Sequence, residues 1–217
     1  MENLFNPENK FFTALSKFFD MCILSIIWIL TVLAFVGPAC TAIYYAMVKN
    51  IRRSRDYTIR TYFHAFKANF KPAAILGIIH IVIGGAIVYC YQFSLKLNPE
   101  HYIGGIYRWA VLVLGLIFLM TTVYVYPVLS RFDMKPFAVI RMSIYMAIRH
   151  IPTTLVGVIG LIVCYYFALF ATFNPLTLIL PSLYTFVLSF PMEGVLRKYM
   201  PKKEEVDENE QEAWYYE

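Results

Sequence analysis

The sequence predicts an all-α fold: a polytopic membrane bundle of five transmembrane helices, with flat interfacial helices on its cytoplasmic side. Three observations carry this. The 217-residue chain is 59% hydrophobic and 15% charged, with a mean hydropathy of +0.59, more apolar surface than a soluble domain of this size can hide. Four long stretches, 21–48, 72–95, 109–130 and 150–192, lack Asp, Glu, Lys and Arg altogether. The basic residues collect at the ends of these stretches instead of being scattered.

A spanning helix needs about 20 apolar residues. The first three stretches are long enough for one span each. The fourth would extend ~65 Å as a single helix, about twice the bilayer core, so it must fold back. Phe173-Asn174-Pro175 is the turn signal inside it. The expected spans are therefore about 21–47, 73–95, 107–129, 152–173 and 176–192, in one bundle covering residues 1–200. Residues 201–217 form an acid-rich tail that is expected to be disordered.

Five spans place the segments 49–71, 131–149 and 193–203 on one side, and these hold 15 of the 19 Lys and Arg residues. The positive-inside rule makes that side cytoplasmic, with the N-terminus outside and the C-terminus inside a bacterial plasma membrane. The start, MENLFNPENKFF, lacks a basic region running directly into an apolar core, so the first span is expected to act as an uncleaved signal. Residues 3–20 are read as a short helix on the outer surface, with Phe11, Leu15, Phe18 and Phe19 as its apolar stripe.

Within FVGPACTAIYYAMVKNIRRSR at 35–55, Pro38 interrupts an oily run that ends in cations. Proline in a helix removes a backbone hydrogen bond and clashes with the preceding turn. Pro38 is thus read as a kink in span 1, either shaping the bundle or marking a hinge or cavity. Pro127 and Pro191 fall near the same end of spans 3 and 5. Residues 57–71 place Ile59, Phe63, Phe66 and Phe70 on one helical face and Arg60, His64, Lys67 and Lys71 on the next, as expected of a helix lying in an interface. Residues 136–149 repeat the pattern with Phe137, Ile140, Ile144 and Ile148. Each is followed by a proline and, five residues on, a glycine: Pro72 and Gly77, Pro152 and Gly157. The order span, flat helix, span is read twice, with a fifth span appended.

Chemistry is sparse. The sequence holds no glycine-rich phosphate loop, no HExxH, no GxSxG and no zinc spacing. No cofactor is implied, and the chain reads as a non-enzyme. Cys22, Cys40, Cys90 and Cys164 lie in apolar runs and read as small buried hydrophobes. The net charge of +5 sits at span ends, which suits a lipid bilayer as partner rather than nucleic acid. Four residues are candidates for function: Pro38, Pro127, His80 near the middle of span 2, and Glu193 at the inner end of span 5. His80 reads as a hydrogen-bonded packing residue or as a proton relay. Glu193 is expected to pair with an interfacial Arg or with Arg197. Arg52, Arg53, Arg55, Arg60, Lys67 and Lys71 are candidates for lipid or partner contact.

Three blocks, PACTAIYYAMVK at 38–49, FHAFKANFKPA at 63–73 and YVYPVLSRFD at 124–133, resemble the signature blocks of the YesL-like family of bacterial integral membrane proteins, a domain of unknown function. The resemblance runs from about Lys10 to Tyr199. It implies an accessory role in carbohydrate uptake, because genes of the family often accompany sugar-importing ABC transporters. ABC permease subunits or a solute-binding protein are then the implied partners. A small transporter or channel, acting alone or as an oligomer, is the alternative reading.

Overall fold

The computed structural model describes residues 10–52, 57–96, 102–170 and 175–200. The described residues form helices throughout: α1 (Lys10–Val32), α2 (Val36–Ala46), α3 (Thr58–Ala68), α4 (Phe70–Lys96), α5 (Tyr102–Arg131), α6 (Pro136–Arg149), α7 (Ile151–Phe170) and α8 (Leu180–Leu196). A π-helical turn, Met47–Arg52, extends α2, and a 3-10 turn, Pro175–Ile179, leads into α8. Five segments, in α1, α4, α5, α7 and from the 3-10 turn through α8, are long and apolar enough to cross a membrane. The chain is a multi-pass helical membrane protein.

The first span differs from expectation at both ends. No separate helix precedes it among the described residues, since α1 runs unbroken from Lys10 to Val32. The span then stops well before residue 47, because the chain breaks at Leu33–Phe35 and restarts as α2. Pro38 is the reason. It is the third residue of α2, where its missing N–H would have had no partner in any case. In a continuous helix its ring would strike the carbonyl of residue 34. Phe35 N–H donates to Thr31 O at 2.9 Å to close α1, and Ala39 N–H donates to Phe35 O at 3.2 Å to open α2. Pro38 therefore starts a helix and does not kink one.

Helix α2 is buried along most of its length, from Gly37 to Ala46. It packs against α1, α3, α4, α5 and α8. At its start Gly37 lies against α4, so close that a Cβ on Gly37 would stand 1.8 Å from Ala73 O. Its other end reaches α8 through Tyr44. The helix thus crosses the bundle from α4 to α8 at the end where the basic residues collect. At its C-terminal end, Lys49 and Arg52 complement the helix dipole.

The two amphipathic helices are each joined to a span through one residue. Asn69 links α3 to α4, its N–H donating to Ala65 O (3.1 Å) and its carbonyl accepting from Ala73 N–H (3.0 Å). His150 links α6 to α7 in the same way, with Met146 O at 2.9 Å and Thr154 N–H at 3.1 Å. Pro72 and Pro152 fall in the first turns of α4 and α7. Neither can donate back to the preceding helix, so each pair stays two helices, interrupted at Asn69 and at His150, instead of fusing into one. The glycines that follow sit at helix crossings, Gly77 against Gly37 and Gly157 against Val123. The second copy of the pattern, α5 to α7, has no counterpart of α2.

Both amphipathic helices have three faces. Helix α3 buries Thr58, Thr61, Tyr62 and Ala65, mainly against α2, and leaves Ile59 and Phe63 exposed beside exposed Arg60, His64 and Lys67. Helix α6 buries Val139, Ser143, Met146 and Ala147 and exposes Phe137, Ile144 and Ile148. Of the faces read from the sequence as apolar, Ile59, Phe63, Phe137, Ile144 and Ile148 point outward, as suits helices lying at a lipid surface, while Phe66, Phe70 and Ile140 are half-buried, Phe66 and Ile140 packing against the core and Phe70 against Phe35 and Phe66.

The packed core occupies the basic half of the bundle. Residues 123–129 of α5 are all buried there, against Leu76, Val139, Met146 and Met192. Away from this end the spans expose large apolar side chains, such as Ile78 and Ile81 on α4, Leu112 and Leu116 on α5, and Ile159 and Ile162 on α7. In water such surface would be costly, at about 25 cal/mol per Å². Hydrocarbon removes that cost.

Candidate functional site

Four elements meet in one polar knot at the basic end. Glu193 lies on α8, one turn before the helix ends, and is 4% exposed. Its Oε1 accepts from Arg131 Nη2 at 2.8 Å, from Arg131 Nε at 3.1 Å and from the Tyr44 hydroxyl at 2.9 Å. The Arg131 side chain is fully buried. Beside this knot Arg52 donates to Ser189 O at 2.7 Å and lies over the Phe190 ring at 4.4 Å. α2, its π turn, α5 and α8 are thereby tied together. A buried carboxylate held this way is an acceptor for fixed donors, not a base poised for proton transfer.

Next to the knot lies a cavity of about 550 Å³ between α1, α2, α5, α7 and α8. Cys40, Ile43 and Tyr44 of α2 form one wall. Trp28, Tyr126, Pro127, Leu161 and Tyr184 form others. The lining is mostly apolar. Two of its hydroxyls are already spent on their own helices, Thr122 on Phe118 O and Thr185 on Pro181 O, at 2.8 and 2.7 Å. A sugar here would find few partners for its hydroxyls.

The residues singled out in the sequence scatter among these features. Glu193 pairs with an Arg as expected, but the partner is Arg131, while Arg197 is exposed. Pro127 lies inside α5 and lines the cavity. Pro38 is buried in the first turn of α2. His80 is absent from the cavity wall. Its Nδ1 donates to Leu76 O at 3.0 Å, and its ring packs on Phe118 and Tyr126, each at 5.4 Å between centroids. That is a packing role. Of the cations, Arg60, Lys67 and Lys71 are exposed. Arg52 is not turned outward but belongs to the knot, and Arg53 and Arg55 lie outside the described residues.

Two members of the knot carried no local signal. Tyr44 is one tyrosine among 17. Arg131 reads as an ordinary span-end cation. Only an acid at the end of a distant span, Glu193, hinted that a buried cation was needed.

Two further polar contacts fasten the periphery. Ser25 on α1 donates to Ser182 on α8 at 2.7 Å, and both are fully buried. Tyr62 on α3 shares a hydrogen bond with Thr31 at 2.5 Å, and burial pushes its hydroxyl pKa up to about 12. Where α6 meets α7, His150 Nε2 lies 3.0 Å from the Tyr199 hydroxyl. Partial burial, then the charges of Lys198 and Arg149, hold its pKa below the usual histidine range. Among the described residues no group of three or more His, Cys, Asp or Glu is placed to hold a metal ion.

This fold and site define a class: a multi-pass helical membrane protein whose one described buried ion pair ties helices together. Residues 21–91 match the family described as "Protein of unknown function, DUF624". The chain is also 26% identical over 137 residues to "Uncharacterized protein YteU" of Bacillus subtilis (strain 168), and the match covers 60% of each chain. Both findings bear out the resemblance to the YesL-like family of membrane proteins. No solved structure matches.

Proposed function

We propose that the protein is a non-enzymatic accessory component of carbohydrate uptake in the bacterial plasma membrane, working beside an ABC importer. The observation that favours an accessory over a carrier is the interior. Its cavity is apolar, and the buried carboxylate beside it is already paired with Arg131 and hydrogen-bonded by Tyr44. Neither feature suits passage of a polyhydroxylated solute. The family resemblance supplies the link to sugar import. The basic end faces the cytoplasm in this reading, and Lys67, Lys71 and the exposed apolar face of α3 are presented to lipid or to a permease. The test is mild-detergent purification from native membranes, with sugar uptake measured in a deletion strain. Co-purifying permease subunits or solute-binding protein, together with reduced uptake, is the expected result. Unchanged uptake with no such partner would end the proposal.

A second reading is favoured by the cavity itself. A volume of about 550 Å³ with α2 as one wall is the size of a solute site in a gated pathway. Liposomes containing only this protein would then release a trapped solute. Flux indifferent to His80→Ala would fit the packing role of that residue. No flux of any solute would remove this reading.

A further inference from the structure

A second, polar cavity of about 360 Å³ lies at the basic end and is lined by Lys49, Arg60, Thr61 and His64, none of them a member of the knot. Two elements build it. Lys49 comes from the π-helical turn, where its ammonium lies over the Tyr45 ring at 5.8 Å. Arg60, Thr61 and His64 come from α3, with Arg60 and His64 one turn apart on the same face. Thr61 is 2% exposed, and its hydroxyl has no hydrogen-bond partner. A buried hydroxyl left this way costs about 1–3 kcal/mol. Its presence in the wall of a cationic cavity points to an acceptor that comes from outside.

The surroundings favour an anion. The first turn of α3, which carries Arg60 and Thr61, holds no acidic residue and has no side-chain cap. From residue 21 to residue 99 the sequence holds a single acid, Asp56. π-Turns recur at functional sites because they displace side chains from regular helical positions. On the same helix Ile59 and Phe63 are exposed, the pattern of a helix that lies at a lipid surface, where phosphate-bearing headgroups are found.

We propose that Lys49, Arg60, Thr61 and His64 form a binding site for a phosphate group, with Arg60 and Lys49 countering its charge and the Thr61 hydroxyl donating to one of its oxygens. The phosphate belongs either to the headgroup of an anionic phospholipid or to a small free phosphate. Tetrahedral oxygens suit this set of donors, since Arg offers a planar fork and Lys a point charge.

Native mass spectrometry of the full-length, detergent-solubilised protein separates the sources. One arm adds dioleoyl phosphatidic acid, phosphatidylglycerol or phosphatidylcholine, and the other adds inorganic phosphate with thermal melting as readout. Retention of the anionic lipids over phosphatidylcholine identifies a headgroup site. Stabilisation by inorganic phosphate without lipid preference identifies a free-phosphate site. In either case Arg60→Ala should weaken binding about tenfold or more, and Thr61→Val should weaken it severalfold. Thr61→Val keeps the shape of the side chain, and the exposed Arg60 can be truncated without disturbing the core, so both variants should fold. Arg141→Ala, an exposed cation of α6 outside the cavity, should leave binding unchanged. Equal losses from Arg141→Ala would reveal diffuse attraction and overturn the site. So would binding that ignores Arg60→Ala and Thr61→Val, or no binding in either arm.

Discussion

Arg131 and Glu193 meet at 2.8 Å although 62 residues separate them. One closes α5 and the other lies near the end of α8, so their contact fixes how two non-sequential spans sit together at the basic end. Tyr44 supplies the third bond and draws α2 into the same place.

Removing one partner of this pair strands the other charge in the interior. Arg131→Met and Glu193→Ala should each cost about 3–5 kcal/mol, and the double variant less than the two losses added. Tyr44→Phe removes one hydrogen bond to a charged acceptor, at about 1.5–3 kcal/mol. Thermal or denaturant melting of the detergent-solubilised variants checks the order. A Glu193→Ala protein as stable as wild type would mean that the knot is not structural.

The crossing of α2 and α4 depends on Gly37 and Gly77. A Cβ on Gly37 would meet Ala73 O at 1.8 Å, and one on Gly77 would meet Gly37 N at 2.7 Å. Both obstacles are backbone, so no rotamer change relieves them. Gly37→Ala should destabilise by more than the about 1–3 kcal/mol typical of overpacking, and Gly77→Ala by about that amount. Gly85→Ala, with nothing within 4 Å of its added Cβ, should be neutral or slightly stabilising. Purification yield and melting temperature together distinguish the three.

The orientation can be read by labelling. In a cysteine-free background, Lys67→Cys on α3 should react with an impermeant maleimide only after the cells are opened. Lys96→Cys at the far end of α4 should react in intact cells. The reverse pattern would invert the topology that charge predicts.

His150 gives a dependence on pH. Its folded pKa lies below the ordinary value of 6.5, first through desolvation and then through Lys198 and Arg149. As pH falls, the unfolded chain therefore takes up this proton before the folded one does. The stability that depends on a neutral His150 is complete above pH 6.5 and is lost as pH falls through the lower folded value. The melting temperature should drop between pH 7 and pH 5, and His150→Gln should flatten that part of the curve. An identical slope in the variant would show that other groups cause the drop.

Much of the architecture was legible in the residues because a membrane imposes simple rules. Runs of apolar residues gave the number of spans, and α4, α5, α7 and α8 end within a few residues of the expected limits. Helical periodicity gave α3 and α6, and Pro72 and Pro152 marked where α4 and α7 begin. The first span was misread because Pro38 looks the same in sequence whether it kinks one helix or opens another. Only the packing of Gly37 against α4 favours the second outcome, and α4 lies more than thirty residues away.

By itself, then, the sequence determined that lipid is the solvent, how many times the chain crosses it, and which end carries the cations. Those follow from local composition, where each residue's preference for water or hydrocarbon counts alone. The tertiary structure decided which charges are spent on one another and which remain available. Arg52 and Arg131 turn inward to α8, whereas Arg60 stays outside and shares a cavity with Lys49 and Thr61. A buried charge persists only where distant parts of the chain bring it a partner, and that requirement is met in three dimensions rather than along the sequence.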